Sequence, residues 1–139
     1  MKSKTTYGEL LPSEDLFELI DSFWIHENLS NQAKETIIFP DSFAKLVIVV
    51  VNDKIQRYFC TGIWTEQKEF VAPPKSKVFG CRLKLLAPEF LFNESFAPIL
   101  DSVKQLELNF LNVNEFNLLD FETLVKQWQH QLRLLRPNK

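Results

Sequence analysis

The sequence predicts a mainly β protein with α-helices: a small antiparallel barrel or sandwich with an N-terminal helix and C-terminal helices. Three observations predict this fold class. The run Leu46–Val51 is aliphatic throughout, and four of its six residues are the β-branched valine, which suits a strand buried on both faces. Other short strand patterns flank this run, separated by turn residues. From Asp120 onward the apolar residues recur at helical spacing instead.

The first segment, residues 1–24, is predicted to form an N-terminal helix region, with the helix running from Leu10 to Trp24. Pro12 and Ser13 suit a helix start, because serine caps the first free backbone N–H groups. Apolar residues then follow at helical spacing: Leu16, Leu19, Ile20 and Phe23. From Ser22 the pattern also fits an extended strand, and we expect the helix to give way to a strand near that residue.

Residues 25–86 are predicted to form the β-barrel core. Five strand candidates lie in this part: Glu35–Phe39, Lys45–Val51, Ile55–Thr61, Glu69–Ala72 and Lys77–Leu86. The connection Asn52-Asp53-Lys54 has the length and residue types of a hairpin turn. The last strand alternates apolar and polar residues, which predicts a half-buried strand with one apolar face.

Residues 87–139 are predicted to be the helical C-terminal part. Two short helical pieces are expected at 88–92 and 95–100, followed by an ambiguous stretch at 103–117. The helix from Asp120 carries one apolar stripe: Phe121, Leu124, Val125, Trp128, Leu132 and Leu135. This stripe either packs on the barrel or pairs with its counterpart in a second subunit. The candidates for such a dimer interface are Leu124, Trp128, Leu132 and Leu135.

Composition and charge exclude several classes of protein. A chain of 139 residues fits one domain, and its net charge of −2 comes without a basic stripe. Because phosphate neutralisation supplies much of DNA affinity, we do not expect this chain to contact DNA by itself. Cys60 and Cys81 are too few for a disulfide framework or zinc site, and we interpret them as buried free thiols. The N-terminus lacks an apolar signal segment and no membrane contact is expected, so we predict a cytoplasmic protein.

The sequence offers little support for an enzyme, a metal or a cofactor. Metal-dependent enzymes of barrel fold need several histidines converging on one ion, and this chain has only His26 and His130. A Gly-x-Ser-x-Gly elbow is absent, and three glycines are too few for a phosphate loop. The remaining enzymatic hypothesis is a metal-independent enzyme such as an isomerase. His26 near Arg82 is the only acid–base pair that the sequence offers for it, and we rank this hypothesis last.

Polar and aromatic residues on the strands are the candidates for a ligand pocket: Trp24, His26, Arg57, Tyr58, Trp64, Arg82 and Lys84. The alternative is that the aromatic residues belong to the core or its rim and the cations are solvated. Arg82 is the strongest candidate, because an arginine within an otherwise apolar strand needs a carboxylate or another anionic partner.

The order of several segments resembles the N-terminal domain of a subgroup of AraC-type bacterial transcription regulators. The segments, in chain order, are Leu11-Pro12, then Leu16, Ile20 and Phe23-Trp24, then Phe39-Pro40-Asp41 leading into Leu46-Val47-Ile48, then Gly62, Gly80-Cys81-Arg82-Leu83, Pro88 and Phe96-Ala97-Pro98-Ile99-Leu100-Asp101. They extend from Leu11 to about Leu108. One departure is Ser42, which stands where these domains usually carry a glycine after Pro-Asp.

The resemblance implies a cupin-like sensor domain that binds a small-molecule effector and helps the regulator to form a homodimer through its C-terminal helix. It also implies that DNA is contacted only by a second domain with two helix-turn-helix motifs, which would follow the last helix and is absent from this chain. The chain is then either the sensor part of such a regulator or a stand-alone cupin-like protein that binds a small molecule. Effectors of this family are diverse, so the resemblance does not identify the ligand.

Overall fold

The computed structural model describes residues 5–38, 43–62, 68–84 and 103–135. Eight strands, one α-helix and two 3-10 helices lie within these residues. The strands are β1 (Thr5–Leu10), β2 (Ile20–Asn28), β3 (Lys34–Ile38), β4 (Ala44–Val51), β5 (Lys54–Thr61), β6 (Lys68–Ala72), β7 (Ser76–Leu83) and β8 (Val103–Gln105). The 3-10 helices are Glu14–Leu16 and Phe110–Glu115, and the helix α1 is Phe121–Leu135.

The strands form two antiparallel sheets. The large sheet has the order β1-β2-β7-β4-β5-β8, and the small sheet pairs β3 with β6. The architecture is a small β-sandwich-like fold with a C-terminal helix, compatible with a cupin-like fold. The predicted fold class is therefore confirmed in its mainly β character and its C-terminal helix.

Strand β4 lies near the middle of the large sheet and pairs along its whole length with β7 and along most of it with β5. Residues Ala44–Val50 are all buried, as the unbroken aliphatic run predicts. The hairpin to β5 turns at Asn52 and Asp53, whose φ angles of 51° and 62° lie in the left-handed region. A two-residue hairpin of this kind needs positive φ at both positions, and Asn and Asp tolerate it better than most residues.

Each face of the large sheet carries its own apolar cluster. The helix-side core joins one face to α1 and includes Phe23, Leu46, Ile48, Phe79, Leu124, Trp128 and Leu132. The Trp128 ring lies 5.8 Å from the Phe23 ring and 6.1 Å from the Phe116 ring, measured between centroids. The opposite face, called the inner face below, carries Val47, Val49, Phe59 and Val78, with Trp24 and Phe70 packed against them.

The predicted N-terminal helix from Leu10 to Trp24 is wrong. Residues Thr5–Leu10 form β1, only Glu14–Leu16 form a 3-10 turn, and β2 begins at Ile20. The apolar residues at helical spacing do share one core, but they reach it from a turn and a strand. Six residues of β1 pair with β2, and this non-local pairing decides the structure.

The five predicted strands correspond to β3 through β7, and no bound differs by more than three residues. The ambiguous stretch at 103–117 contains β8 and the second 3-10 helix, and α1 begins one residue after Asp120. The helical pieces predicted at 88–92 and 95–100 lie outside the described residues.

Candidate ligand-binding face

The inner face is built from side chains that strand register places side by side. Val47 on β4 pairs with Phe59 on β5 and with Gly80 on β7, and Gly80 pairs with Trp24 on β2. The next row along the strands contains Arg57, Val49, Val78, His26 and Tyr7. The two rows together form an apolar floor with polar groups at its edges.

Gly80 makes room for the indole ring of Trp24. A Cβ atom added at Gly80 would overlap the ring atoms Cε2, Cζ2 and Nε1 of Trp24. The ring therefore lies across the glycine and on the floor, which only a residue without a side chain permits. The guanidinium of Arg57 lies 4.6 Å from the ring centroid of Phe59, a cation–π contact on the same face.

The small sheet packs over this face. Phe70 on β6 packs against the inner-face cluster, whereas its neighbour Val71 is 53% exposed on the other side of the strand. The side-chain amide of Asn28, at the end of β2, lies 2.9–3.1 Å from the carbonyl oxygens of Gln32, Ala72 and Pro73. The inner face thus lies between two sheets that a buried amide joins.

A line of polar residues crosses the inner face beside the floor. Strand register places Thr61 beside Lys45, Lys45 beside Arg82, and Arg82 beside Ser22. These four residues, called the polar row below, lie on four adjacent strands and share the face of Val47 and Trp24 because side chains alternate along a strand. Ser22 is 1% exposed, Thr61 4% and Lys45 7%, so three of the four residues of the row are buried.

Arg82 is held by neighbours on β1 and β2. Its Nη1 donates to Glu9 Oε2 at 2.8 Å and to Ser22 Oγ at 3.0 Å, and its Nη2 lies 3.5 Å from the Tyr7 hydroxyl. Burial lowers the pKa of Arg82, but its hydrogen bonds and charge interactions with Tyr7 and Glu9 outweigh the burial, and the pKa is raised from its ordinary value. The guanidinium therefore stays charged.

Three residues of the inner face carry buried polar atoms without a hydrogen-bond partner: Trp24 Nε1, Thr61 Oγ1 and Ser76 Oγ. Trp128 Nε1, in the helix-side core, is the other such atom among the described residues. A buried group left unpaired costs about 1–3 kcal/mol. The concentration of three on one face fits a surface whose polar atoms are paired by a bound molecule.

Four of the predicted pocket residues lie on the inner face: Trp24, His26, Arg57 and Arg82. Tyr58 does not join them, because it is adjacent to Arg57 and its side chain lies on the other side of β5. It is 2% exposed in the helix-side core, its hydroxyl donates to the Phe110 carbonyl at 3.1 Å, and burial raises its pKa.

The other two predicted pocket residues are Lys84 and Trp64. Lys84 is half-buried directly after β7, and its backbone N–H donates to the Leu19 carbonyl. Trp64 lies outside the described residues.

The predicted dimer-interface residues of α1 serve a different purpose. Leu124, Trp128 and Leu132 are buried against the large sheet within the single chain. The sequence left two interpretations open for this stripe, packing on the barrel or pairing with a second subunit. These three residues pack on the large sheet of their own chain, so the predicted dimer contact through them is corrected. The side chain of Leu135 lies outside the described part of α1.

Three residues of the polar row were not predicted from the sequence: Ser22, Lys45 and Thr61. Lys45 opens the aliphatic run, and its alternation with Val47 and Val49 is hidden because every following residue is apolar. The one available signal was that a lysine begins the most buried strand of the chain. The row itself depends on the register of four strands, which local patterns do not reveal.

Other features of the described residues lie away from the inner face. An open groove of about 690 Å³ lies at β8 and the end of α1, lined by residues that include Lys104, Phe110 and Leu134. It lacks buried unpaired polar side chains, so we place the candidate site on the inner face despite the size of this groove.

Within the described ranges, His, Cys, Asp and Glu form no group of three suited to a metal ion. The described helices include none that could span a membrane.

The fold and the inner face define a small antiparallel β-sandwich-like domain with a C-terminal helix. Residues 8–104 match a family model described as "Domain of unknown function (DUF6597)", and the chain belongs to this family. The match includes all residues of the two floor rows except Tyr7 and all four residues of the polar row, and it ends before α1. No curated protein matches the sequence.

Proposed function

We propose that this chain is the effector-sensing domain of an AraC-type bacterial transcription regulator and that it binds a small molecule on the inner face. The observation that carries the proposal is the group of buried, unpaired polar atoms on an apolar floor between the two sheets. Ligand sites of proteins combine apolar walls with a few polar groups in this way.

The resemblance to AraC-type sensor domains supplies the regulatory part of the proposal. Two of the segments that carry it, Phe23-Trp24 and Gly80-Cys81-Arg82-Leu83, contribute Trp24, Gly80 and Arg82 to the inner face. The homodimer implied by the resemblance stays a prediction, and its contact would use surfaces other than the buried stripe of α1.

Nuclear magnetic resonance tests the binding part. In the ¹⁵N-labelled chain, the Trp24→Phe variant assigns the indole N–H signal of Trp24, and Trp128 provides a buried reference in the other core. Compounds that raise the melting temperature in a metabolite panel are expected to shift the Trp24 indole signal and leave that of Trp128 in place. Hits that shift Trp128, or amides of the groove between Lys104 and Leu134, would place the ligand elsewhere and contradict the proposal.

The regulatory part is tested by the native gene. We expect the reading frame downstream of the Lys139 codon to encode two helix-turn-helix motifs with an excess of basic residues. A stop codon at that position, together with a ligand that binds the inner face, would favour the alternative of a stand-alone binding protein.

A further inference from the structure

We propose that the outer edge of β1, the side away from β2, is a self-association surface where β1 pairs antiparallel with β1 of a second copy of this chain. The two-fold axis of the pair passes beside Gly8, and the two large sheets join into one continuous sheet. The association uses the edge of the large sheet rather than its inner face, so it goes beyond the proposed function and holds whether or not a ligand binds.

Strand β1 ends the large sheet, and β2 is its only strand neighbour among the described residues. Its six residues pair with β2 in unbroken register, without a bulge that would turn the edge away from a further strand. In an antiparallel strand every second residue directs its backbone N–H and C=O groups away from the neighbour. Half of β1 therefore offers hydrogen-bonding groups to another strand.

The other edge strands of the described residues carry features that oppose such pairing, and β1 lacks them. A lysine is a common protection of an edge strand against a further strand. Strands β3, β6 and β8 contain Lys34, Lys68 and Lys104, and β8 is only three residues long. Strand β1 contains no lysine, arginine or proline, and its one charge is Glu9. This charge is compensated within the chain, because Arg82 contacts the Glu9 carboxylate at 2.8 Å.

The sequence of β1 is complementary to itself in this register. When Gly8 lies opposite Gly8 of the second copy, Tyr7 lies opposite Glu9 of the second copy, and symmetry repeats the contact. Side chains directly opposite each other on antiparallel strands have Cβ atoms about 4.5–5.5 Å apart. The Tyr7 hydroxyl accepts from Arg82 Nη2 at 3.5 Å, so its own hydrogen can be donated to the carboxylate of that Glu9.

Exposed apolar side chains lie along the same edge. Tyr7 is 56% exposed, and Leu11, which directly follows β1, is 73% exposed. In the same register Leu11 lies opposite Thr5 of the second copy, so it extends the contact beyond the strand. We expect one pair of six-residue strands to bury less than the roughly 1,200–2,000 Å² of a stable interface, so the dimer is weak and depends on concentration.

Sedimentation velocity between about 10 µM and 1 mM measures the association. Tyr7→Glu places a carboxylate opposite Glu9 of the second copy at two symmetric positions, and we expect it to weaken the dimer about tenfold. Tyr7→Lys places an ammonium there and should retain the dimer. Tyr7→Glu should fold, because its carboxylate lies near Arg82 of its own chain, and circular dichroism checks this. Val71→Glu on β6, where Val71 is 53% exposed, is the matched control and should leave the association unchanged.

Disulfide cross-linking tests the register. A mixture of Tyr7→Cys and Glu9→Cys is expected to form a mixed disulfide dimer under mild oxidation, because the register places these two positions opposite each other. Each variant alone should form little covalent dimer. The native thiols of Cys60 and Cys81 are buried and do not compete. Mass spectrometry identifies the cross-linked peptides.

A chain that stays monomeric up to about 1 mM would overturn the proposal, as would a dimer that Tyr7→Glu leaves unchanged or that Val71→Glu weakens equally. Equal weakening by Tyr7→Glu and Tyr7→Lys would contradict the contact with Glu9 of the second copy. Efficient cross-linking of Tyr7→Cys alone would contradict the two-fold axis at Gly8. The Trp24 indole signal tests the proposed function separately, so either proposal can fail without the other.

Discussion

At the scale of single residues, burial decides the chemistry of the two cysteines. Cys60 and Cys81 lie on either side of Leu46 in register, and both face the helix-side core. Burial raises the pKa of the Cys60 thiol to about 12, against a smaller opposing influence of Lys104, and burial also raises the pKa of Cys81. Because the thiolate is the reactive form, these thiols are inert core side chains, as the sequence predicted of them.

This burial predicts how stability depends on pH. The thiol of Cys60 titrates near 9.0 when exposed and near 12 in the folded chain, so the folded state holds its proton longer. Its contribution to stability is complete below pH 9 and is lost as the pH rises from 9 toward 12. Urea unfolding at pH 8.0, 9.5 and 10.5 should show a falling free energy of unfolding.

The matched variant Cys60→Val isolates this contribution. It removes the titrating thiol, so its free energy of unfolding should fall less steeply with pH, by up to about 1.4 kcal/mol per pH unit near pH 10. Tyr58 and Cys81 also have raised pKa values, so some slope remains in the variant. Identical slopes for the two proteins would show that Cys60 is accessible to water.

At the scale of elements, α1 is attached to the turn that precedes β2. The side-chain oxygen of Gln129 accepts hydrogen bonds from the backbone N–H and the hydroxyl of Ser13, each at 2.8 Å. One turn later, Arg133 contacts Asp15 at 2.7 Å, but both side chains are about 40% exposed. Exposed ion pairs contribute little, so the buried amide of Gln129 is the stronger attachment.

We predict that Gln129→Leu destabilises the fold by about 1–3 kcal/mol, because it leaves the Ser13 N–H without its partner. The control is Gln131→Leu on the same helix, whose amide accepts one exposed bond from Asn112 at 3.2 Å. The control should change the free energy of unfolding by no more than about 0.5 kcal/mol. Urea unfolding monitored by circular dichroism measures both, and equal losses would mean that Gln129 is not a buried anchor.

The elements that the sequence predicted well are those whose pattern coincides with their burial. The aliphatic run of β4, the alternation of β7 and the stripe of α1 each reflect contacts that the element makes along its whole length. The N-terminal helix failed because Leu16, Leu19, Ile20 and Phe23 have helical spacing and a shared core without being helical. Only the pairing of β1 with β2, set by distant residues, distinguishes the two structures.

The part of the candidate site that could be predicted is the part that depends only on which face of its own strand a side chain occupies. Trp24, His26 and Arg82 were identified because they alternate with core residues of their strands. Arg57 and Tyr58 were both proposed, although adjacent residues of a strand point to opposite faces, and a register shift at Val49/Val50 obscures the phase of β5. The polar row requires the relative positions of four strands, which the sequence does not reveal.

At the scale of the whole molecule, Asn28 holds the two sheets together over the inner face. It is fully buried, and its amide nitrogen contacts three carbonyl oxygens, two of them at the end of β6. Its side-chain oxygen accepts from the backbone N–H and the hydroxyl of Ser30, at 3.1 and 2.7 Å. One side chain thus links the end of β2, the loop before β3 and the small sheet.

We predict that Asn28→Ala lowers the free energy of unfolding by about 2–4 kcal/mol, because one buried hydrogen bond to the backbone and three partly buried ones are lost at once. Native-state hydrogen exchange should show the largest loss of protection in β3 and β6, since the small sheet loses its attachment while β4 and β7 remain paired with neighbours on both sides. Gln131→Ala, which removes one exposed hydrogen bond from α1, is the control and should leave both sheets protected.

Equal loss of protection in both sheets of Asn28→Ala would mean that the sandwich opens as one unit. Faster exchange confined to β3 and β6 would mean that the small sheet opens separately and that Asn28 sets how often it does. Because Phe70 of the small sheet packs on the floor, the same opening exposes the inner face. The Asn28→Ala variant should then bind an inner-face ligand more weakly even though Asn28 does not belong to the floor or the polar row, which connects the stability of the sandwich to the proposed sensing of an effector.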